Sequence, residues 1–136
     1  MGLAEKRVAK EFQDGPFLEW QKKINEAAGI TVAVEVKWEQ LMEDGMSHMF
    51  LEAWPKVYFE PIVSGLQSIC ADAMGKEAIQ GALKKIEIVN ENSIYYGDRC
   101  SSFAAGVLKI DHQPFSNLDD TKDRIKGVIK TLENSL

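Results

Sequence analysis

Residues 30–38 read Ile30-Thr31-Val32-Ala33-Val34-Glu35-Val36-Lys37-Trp38, and their alternation decides the fold class. Ile30, Val32, Val34, Val36 and Trp38 share one parity; Thr31, Ala33, Glu35 and Lys37 share the other. Successive side chains of an extended chain point to opposite faces. The stretch is therefore a strand with one apolar and one mainly polar face, in a sheet buried on one side.

On the N-terminal side of this strand the period changes to that of a helix. Leu3 to Asp14 forms a short helix that ends at Asp14-Gly15, with a thin apolar stripe. Pro16 sits where a new helix can start, because its missing N–H costs nothing in the first turn. Phe17, Trp20, Ile24 and Ala27 or Ala28 follow at helical spacing, and Gly29 suits a left-handed C-cap.

On the C-terminal side, Glu39 to Asp44 supplies one or two helical turns stopped at Gly45, and helix resumes from Ser47. Trp54-Pro55 and Glu60-Pro61 each disfavour helix at the residue before the proline. Beyond Pro61, a continuous stripe of Ile62, Val63, Leu66, Ile69, Cys70, Ala73 and Met74 predicts the central core helix, broken at Met74-Gly75. Lys76 to Lys84 continues as a further helix, with Ile79, Ala82 and Leu83 inward. Ile86 to Asn90 is a short strand, and Glu91-Asn92-Ser93 a turn. Ser101–Phe103 and Val107–Asp111 flank Ala104-Ala105-Gly106 as a hairpin. Ser116 to Asp119 has the S-x-x-D form of a capping box. It precedes a C-terminal amphipathic helix with Ile125, Val128, Ile129, Leu132 and Leu136 on one face.

The resulting order is α-α-β-α-α-β-β-β-α. The last strands lie too close together for helical crossovers, so the expected class is α+β. It has a mostly antiparallel sheet of about four strands, with helices packed on one face. A parallel crossover between Ile30–Trp38 and Ile86–Asn90 is the alternative, since helices separate them.

Composition narrows the class of function. The chain has 136 residues, 45% hydrophobic and 27% charged, which suits one globular domain spanning 1–136 and excludes disorder. Sixteen basic residues against 21 acidic ones leave a net charge of −5. Basic residues do not cluster, so nucleic acid and anionic membrane are not expected as partners. The sequence has no signal-peptide core and no apolar run near the ~20 residues of a membrane span. The expected setting is cytoplasmic, with both cysteines free.

No phosphate-binding glycine loop, H-E-x-x-H, C-x-x-C, EF-hand or G-x-S-x-G motif occurs. No catalytic residue is assigned, and neither cofactor nor metal is expected. Asp111-His112 is the first place where chemistry could reside, because a carboxylate can fix a histidine tautomer. Adjacent strand residues face opposite ways, however, and the plain reading of His112 is a surface or turn residue. His48 reads as the polar side of a short helix. Asp98-Arg99-Cys100 sets a cation beside a thiol, with a half-exposed, unreactive thiol as the plain reading. Cys70 falls in the core stripe. Asp119, Asp120 and Asp123, with Asp111 upstream, could bind a divalent cation through carboxylate oxygens, but they are better explained as acids of a helix N-terminus.

The most unusual composition lies between Trp38 and Phe59. Methionine and aromatic residues together form adaptable binding surfaces, although methionine also fills cores. Trp38, Met42, Met46, Met49, Phe50, Trp54, Tyr58, Tyr95, Tyr96 and His112 are therefore the candidate pocket or partner surface. The leading functional expectation is a binding or accessory module that acts by protein–protein contact, a second copy of the chain included. The alternative is a small-molecule binder or enzyme with a pocket between sheet and helices.

Overall fold

The computed structural model describes residues 2–136. Seven α-helices and four strands follow the order α1 (Leu3–Asp14), α2 (Pro16–Ala28), β1 (Ala33–Val36), α3 (Trp38–Leu41), α4 (Phe50–Trp54), α5 (Glu60–Ile69), α6 (Ala73–Ala82), β2 (Lys85–Val89), β3 (Ser101–Ala104), β4 (Val107–Asp111) and α7 (Thr121–Ser135). A 3-10 turn, Ser47–Met49, leads into α4, and a π-helical turn, Pro55–Phe59, joins α4 to α5.

The strands form one sheet in the order β1-β2-β4-β3. The parity read from residues 30–38 holds: Val32 is buried and Val34 and Val36 half-buried, whereas Ala33 and Glu35 are exposed. The regular strand is shorter than expected because Trp38 already opens α3. The expected mostly antiparallel sheet is corrected to a mixed one. β1 pairs with β2 and β2 with β4 in parallel; only β3–β4 is antiparallel. The helices between β1 and β2 return the chain to the start of the sheet, so β2 runs alongside β1. Segment 90–100 then carries the chain past β4's position to the far edge. β3 comes back, and the Ala105-Gly106 turn sends β4 parallel to β2.

The helices cover one face. Ile86 and Ile88 of β2 and Leu108 and Ile110 of β4 are buried beneath them. The opposite face carries paired charges: Lys85 Nζ lies 3.1 Å from Glu35 and 3.2 Å from Glu87, and Lys109 Nζ 2.6 Å from Glu91. A parallel sheet is ordinarily covered on both faces. Here ion pairs of little individual stabilising value occupy the open side.

The expected breaks at Pro55 and Pro61 are also corrected. Trp54 (φ −61°, ψ −42°) and Glu60 (φ −62°, ψ −44°) are both helical, and the helix runs through both prolines. The widened turn accommodates them: Glu60 N–H donates five residues back to Pro55 O. The next bond of that register would run from Pro61 to Lys56 O, but proline has no N–H. The Lys56 carbonyl is instead taken up from α7, by Arg124 Nε at 3.3 Å and Thr121 Oγ1 at 3.2 Å. Two side chains far along the chain thus replace the donor that proline lacks.

Two further boundaries differ from the sequence reading. The stripe from Ile62 to Met74 is broken at 70–72, not at Met74-Gly75. Asp72 caps α6 by accepting from Gly75 N–H at 2.8 Å, and Met74 is 81% exposed. The Ser116–Asp119 box does not cap α7, whose N-cap is Asp120 without a side-chain cap bond. Arg124 donates instead to Asn117 O (2.8 Å) and Leu118 O (3.0 Å), which holds that segment in an irregular turn.

The core is aromatic and continuous. Phe12 packs edge-on to Trp54 (5.2 Å between centroids), Phe50 stacks on Trp54 (4.5 Å), and Trp38 lies 5.5 Å from Trp54. Backbone also approaches backbone where the β2–β3 segment meets α7. A Cβ on Gly127 would fall 2.1 Å from Gly97 O, so only glycine fits there.

Candidate functional site

A groove of about 790 Å³ lies between α2, α5 and α6. Local sequence builds its α2 wall. Pro16 starts the helix, and Gly29 ends it at φ +73° with its N–H on Asn25 O. The Asn25 carboxamide oxygen accepts from Val32 N–H at 2.9 Å and turns the chain into β1. Trp20 projects from this wall and stacks on Phe59 at 6.0 Å, joining the groove to the aromatic core. Lys23 Nζ lies 4.5 Å from the Trp20 ring centre, within cation–π range.

Trp20, Ala27, Ala28, Val63 and Cys70 supply the groove's apolar surface. Lys23, Glu26, Glu60, Ser64, Gln67, Lys76 and Gln80 supply its polar groups. Its side along α5, Glu60 to Cys70, is about 15 Å long at the helical rise of ~1.5 Å per residue. Both signs of charge occur, in equal number. Burial pushes the Cys70 thiol up, Lys76 pulls it back and Asp72 adds to the rise. Burial thus favours the neutral thiol of Cys70, which forms part of the groove's apolar wall. The groove thus offers an apolar strip with amide, hydroxyl and charged groups of both signs beside it.

The residues singled out in the sequence lie elsewhere. Phe50, Trp54 and Tyr58 are fully buried, and Trp38, Met42, Met46 and Met49 pack half-buried against the core. The segment Trp38–Phe59 is thus mainly core, because its π-turn keeps Trp54, Val57, Tyr58 and Phe59 inward together. Tyr95 and Tyr96 are exposed, 4.4 Å apart. They line a separate cavity of about 430 Å³ with Asp98, Asp120, Asp123 and Lys126.

His112 is corrected from a surface or turn residue to a sealed one, at 0% exposure. Its Nδ1–H donates to Gln113 O at 2.6 Å, its own carbonyl accepts Tyr58 Oη–H at 2.5 Å, and its N–H donates to Val89 O at 3.2 Å. Burial holds its imidazole below the ordinary range; the Gln113 bond opposes this, Arg124 adds to it and Asp111 opposes it. Asp111 itself is spent on the β2–β3 segment, accepting from Glu91 N–H, Asn92 N–H and Asn92 Nδ2. His48 is exposed, in contrast to the sealed His112. Cys100 is buried rather than half-exposed, and burial pushes its thiol up to about 11. No disulfide joins it to Cys70.

Sequence reasoning missed the groove and Arg124. Arg124 is fully buried, with all its bonds on carbonyl or hydroxyl oxygens. Its spacing was a signal: Arg124, Val128 and Leu132 recur every four residues, so a cation interrupts the apolar stripe of α7. No described helix is long and apolar enough to cross a membrane. Comparison with known protein families, curated proteins and solved structures finds no match.

Proposed function

We propose that the chain is a binding module that takes up an extended segment of a partner protein in the groove between α2, α5 and α6. The observation that carries this reading is the groove's makeup: an apolar strip of Trp20, Ala27 and Val63 bordered by Gln67, Gln80 and Ser64. Amides and hydroxyls both donate and accept, which matches the alternating N–H and C=O groups of a peptide backbone. Balanced Lys23, Lys76, Glu26 and Glu60 suit a ligand with both signs better than a phosphate or a polycation. A length of about 15 Å fits four or five residues at ~3.3 Å each. An apolar centre with a polar border is also the anatomy of protein interfaces.

The test is selection of binding peptides from a random display library, followed by titration against the parent chain and Ser64→Trp, which fills the groove from α5. Peptides that lose at least tenfold affinity for S64W, but not for Met74→Ser outside the groove, support the reading. Peptides that bind a folded S64W chain as well as the parent overturn it.

A further inference from the structure

The fold buries or half-buries every aromatic side chain but two: Tyr95 and Tyr96 are 48% and 51% exposed. The pair is held in place. Tyr95 O accepts from Asn117 Nδ2 at 2.7 Å, and Tyr96 O accepts from Arg99 N–H at 3.1 Å. The Arg99 guanidinium lies 5.6 Å from the Tyr96 ring centre, and the two tyrosine rings are 4.4 Å apart. The next residue, Gly97, presses on α7, where a Cβ would fall 2.7 Å from Arg124 N. A ligand that meets these rings therefore loses little to ordering them.

The two tyrosines form one side of the cavity of about 430 Å³, and α7 forms the other. Asp123, Lys126, Gly127 and Lys130 recur every three or four residues, so they share the face turned to it. Asp98 and Asp120 complete the polar lining, and the volume is within the usual range of small-ligand sites, about 300–1,000 Å³.

This lining selects among ligands. The three carboxylates oppose a phosphate, and the two ammonium groups oppose a polycation. A purely apolar molecule would strip water from both kinds of charge and return nothing. Carboxylates accept hydrogen bonds and ammonium groups donate them, whereas a hydroxyl does both. A neutral polyol can thus bond to aspartate through one hydroxyl and to lysine through the next. The face of a tyrosine ring is the negative side of its quadrupole, which attracts the polarised C–H groups on the flat side of a sugar ring.

We infer that the cavity between Tyr95-Tyr96 and α7 is a carbohydrate site, in which a pyranose ring lies on the tyrosine pair and its hydroxyls bond to the aspartates and lysines of α7. The site shares no lining residue with the α2–α5–α6 groove and does not depend on the function proposed for it.

The test is titration of the 15N-labelled parent chain with maltotriose, chitotriose and lactose, each to about 20 mM, the regime of weak affinities. Trialanine and tetramethylammonium are titrated alongside as a peptide and an organic cation. The expected result is saturable shifts of the Gly97 and Gly127 amides with at least one of the sugars. The affinity should fall at least tenfold in Tyr95→Ser/Tyr96→Ser and in Lys126→Met, and stay unchanged in S64W. If the double variant does not fold, Lys126→Met alone decides. Absence of a saturable shift with all three sugars overturns the inference. So does sugar binding that survives these substitutions, or a stronger response of the same amides to trialanine or tetramethylammonium.

Discussion

Replacing Arg124 by methionine keeps an unbranched apolar stem and removes the guanidinium donors to Lys56 O, Asn117 O and Leu118 O. A buried carbonyl that loses its donor costs about 1–3 kcal/mol. Lys56 O retains Thr121 Oγ1, and Asn117 is exposed enough for water to reach it. Relief from burying a guanidinium offsets part of the remainder. The net expectation is a loss of about 1–3 kcal/mol, against a usual total stability of about 5–15. Urea unfolding followed by far-UV circular dichroism measures it; with m near 2 kcal/mol/M the midpoint should fall by roughly 1 M. A second substitution isolates the reasoning. Pro61→Ala gives residue 61 an N–H that can serve Lys56 O. In the R124M background, where Thr121 Oγ1 alone serves Lys56 O, it restores a second donor and should recover about 1 kcal/mol. In the parent, where that carbonyl already has both donors, it should cost about 0.4–1 kcal/mol through the unfolded chain. An R124M loss below about 1 kcal/mol refutes the argument. So does additivity of the two changes within about 0.5 kcal/mol, because groups that share a partner do not add.

Burial lowers the His112 pKa on folding, so the unfolded chain takes the proton first as the pH falls. The stability His112 contributes is present above its unfolded value near 6.5 and is lost as the pH drops below that toward the folded value. Urea midpoints at pH 7.5 and 5.0 should therefore diverge more for the parent than for a folded His112→Gln chain; equal divergence contradicts the burial argument. Ala105 holds φ +52° beside Gly106 at φ +82°, so the hairpin turn needs two left-handed residues and has one glycine. Ala105→Asn should raise stability by about 0.5–1 kcal/mol, visible as a higher thermal midpoint, and a lower one counts against the turn assignment. Cys100, 3% exposed and with its thiol pushed up to about 11, should resist a disulfide reagent at pH 7.5 in the native chain and react fully in urea. Rapid native labelling would show that the loop before β3 opens.

What could be read from sequence was local. The parity of residues 30–38, the Pro16 start and Gly29 stop of α2, and the strands around Ala105-Gly106 each depend on neighbours within a few residues. Strand direction did not, because it follows from how the helices between β1 and β2 pack back on the sheet. The helix through Pro55 and Pro61 was illegible for the same reason: its missing donor comes from Arg124 and Thr121 on another element. His112 was half legible, since it shares the parity of Leu108 and Ile110, but its adjacency to Asp111 drew attention to chemistry instead of burial. The groove could not be seen at all. Its walls are faces of three helices, and nothing in the spacing of Trp20, Val63 or Gln80 says that those faces meet.

The pairing of Ala33 with Lys85 has a consequence for how the chain is made. During synthesis β1 leaves the ribosome long before its only neighbour in the sheet exists. At about 5–20 residues per second, the apolar parity of Val32, Val34 and Val36 waits several seconds for β2. α1 and α2, joined by a single glycine, can fold against each other in that interval and offer the strand a temporary cover. The edge is also short, and Glu35 and Lys37 flank its apolar positions, which limits pairing with the same strand of a neighbouring nascent chain. Val34 and Val36 therefore mark the stretch where slowed elongation or a hydrophobic replacement of Glu35 would first show as aggregation, even if the finished protein were equally stable.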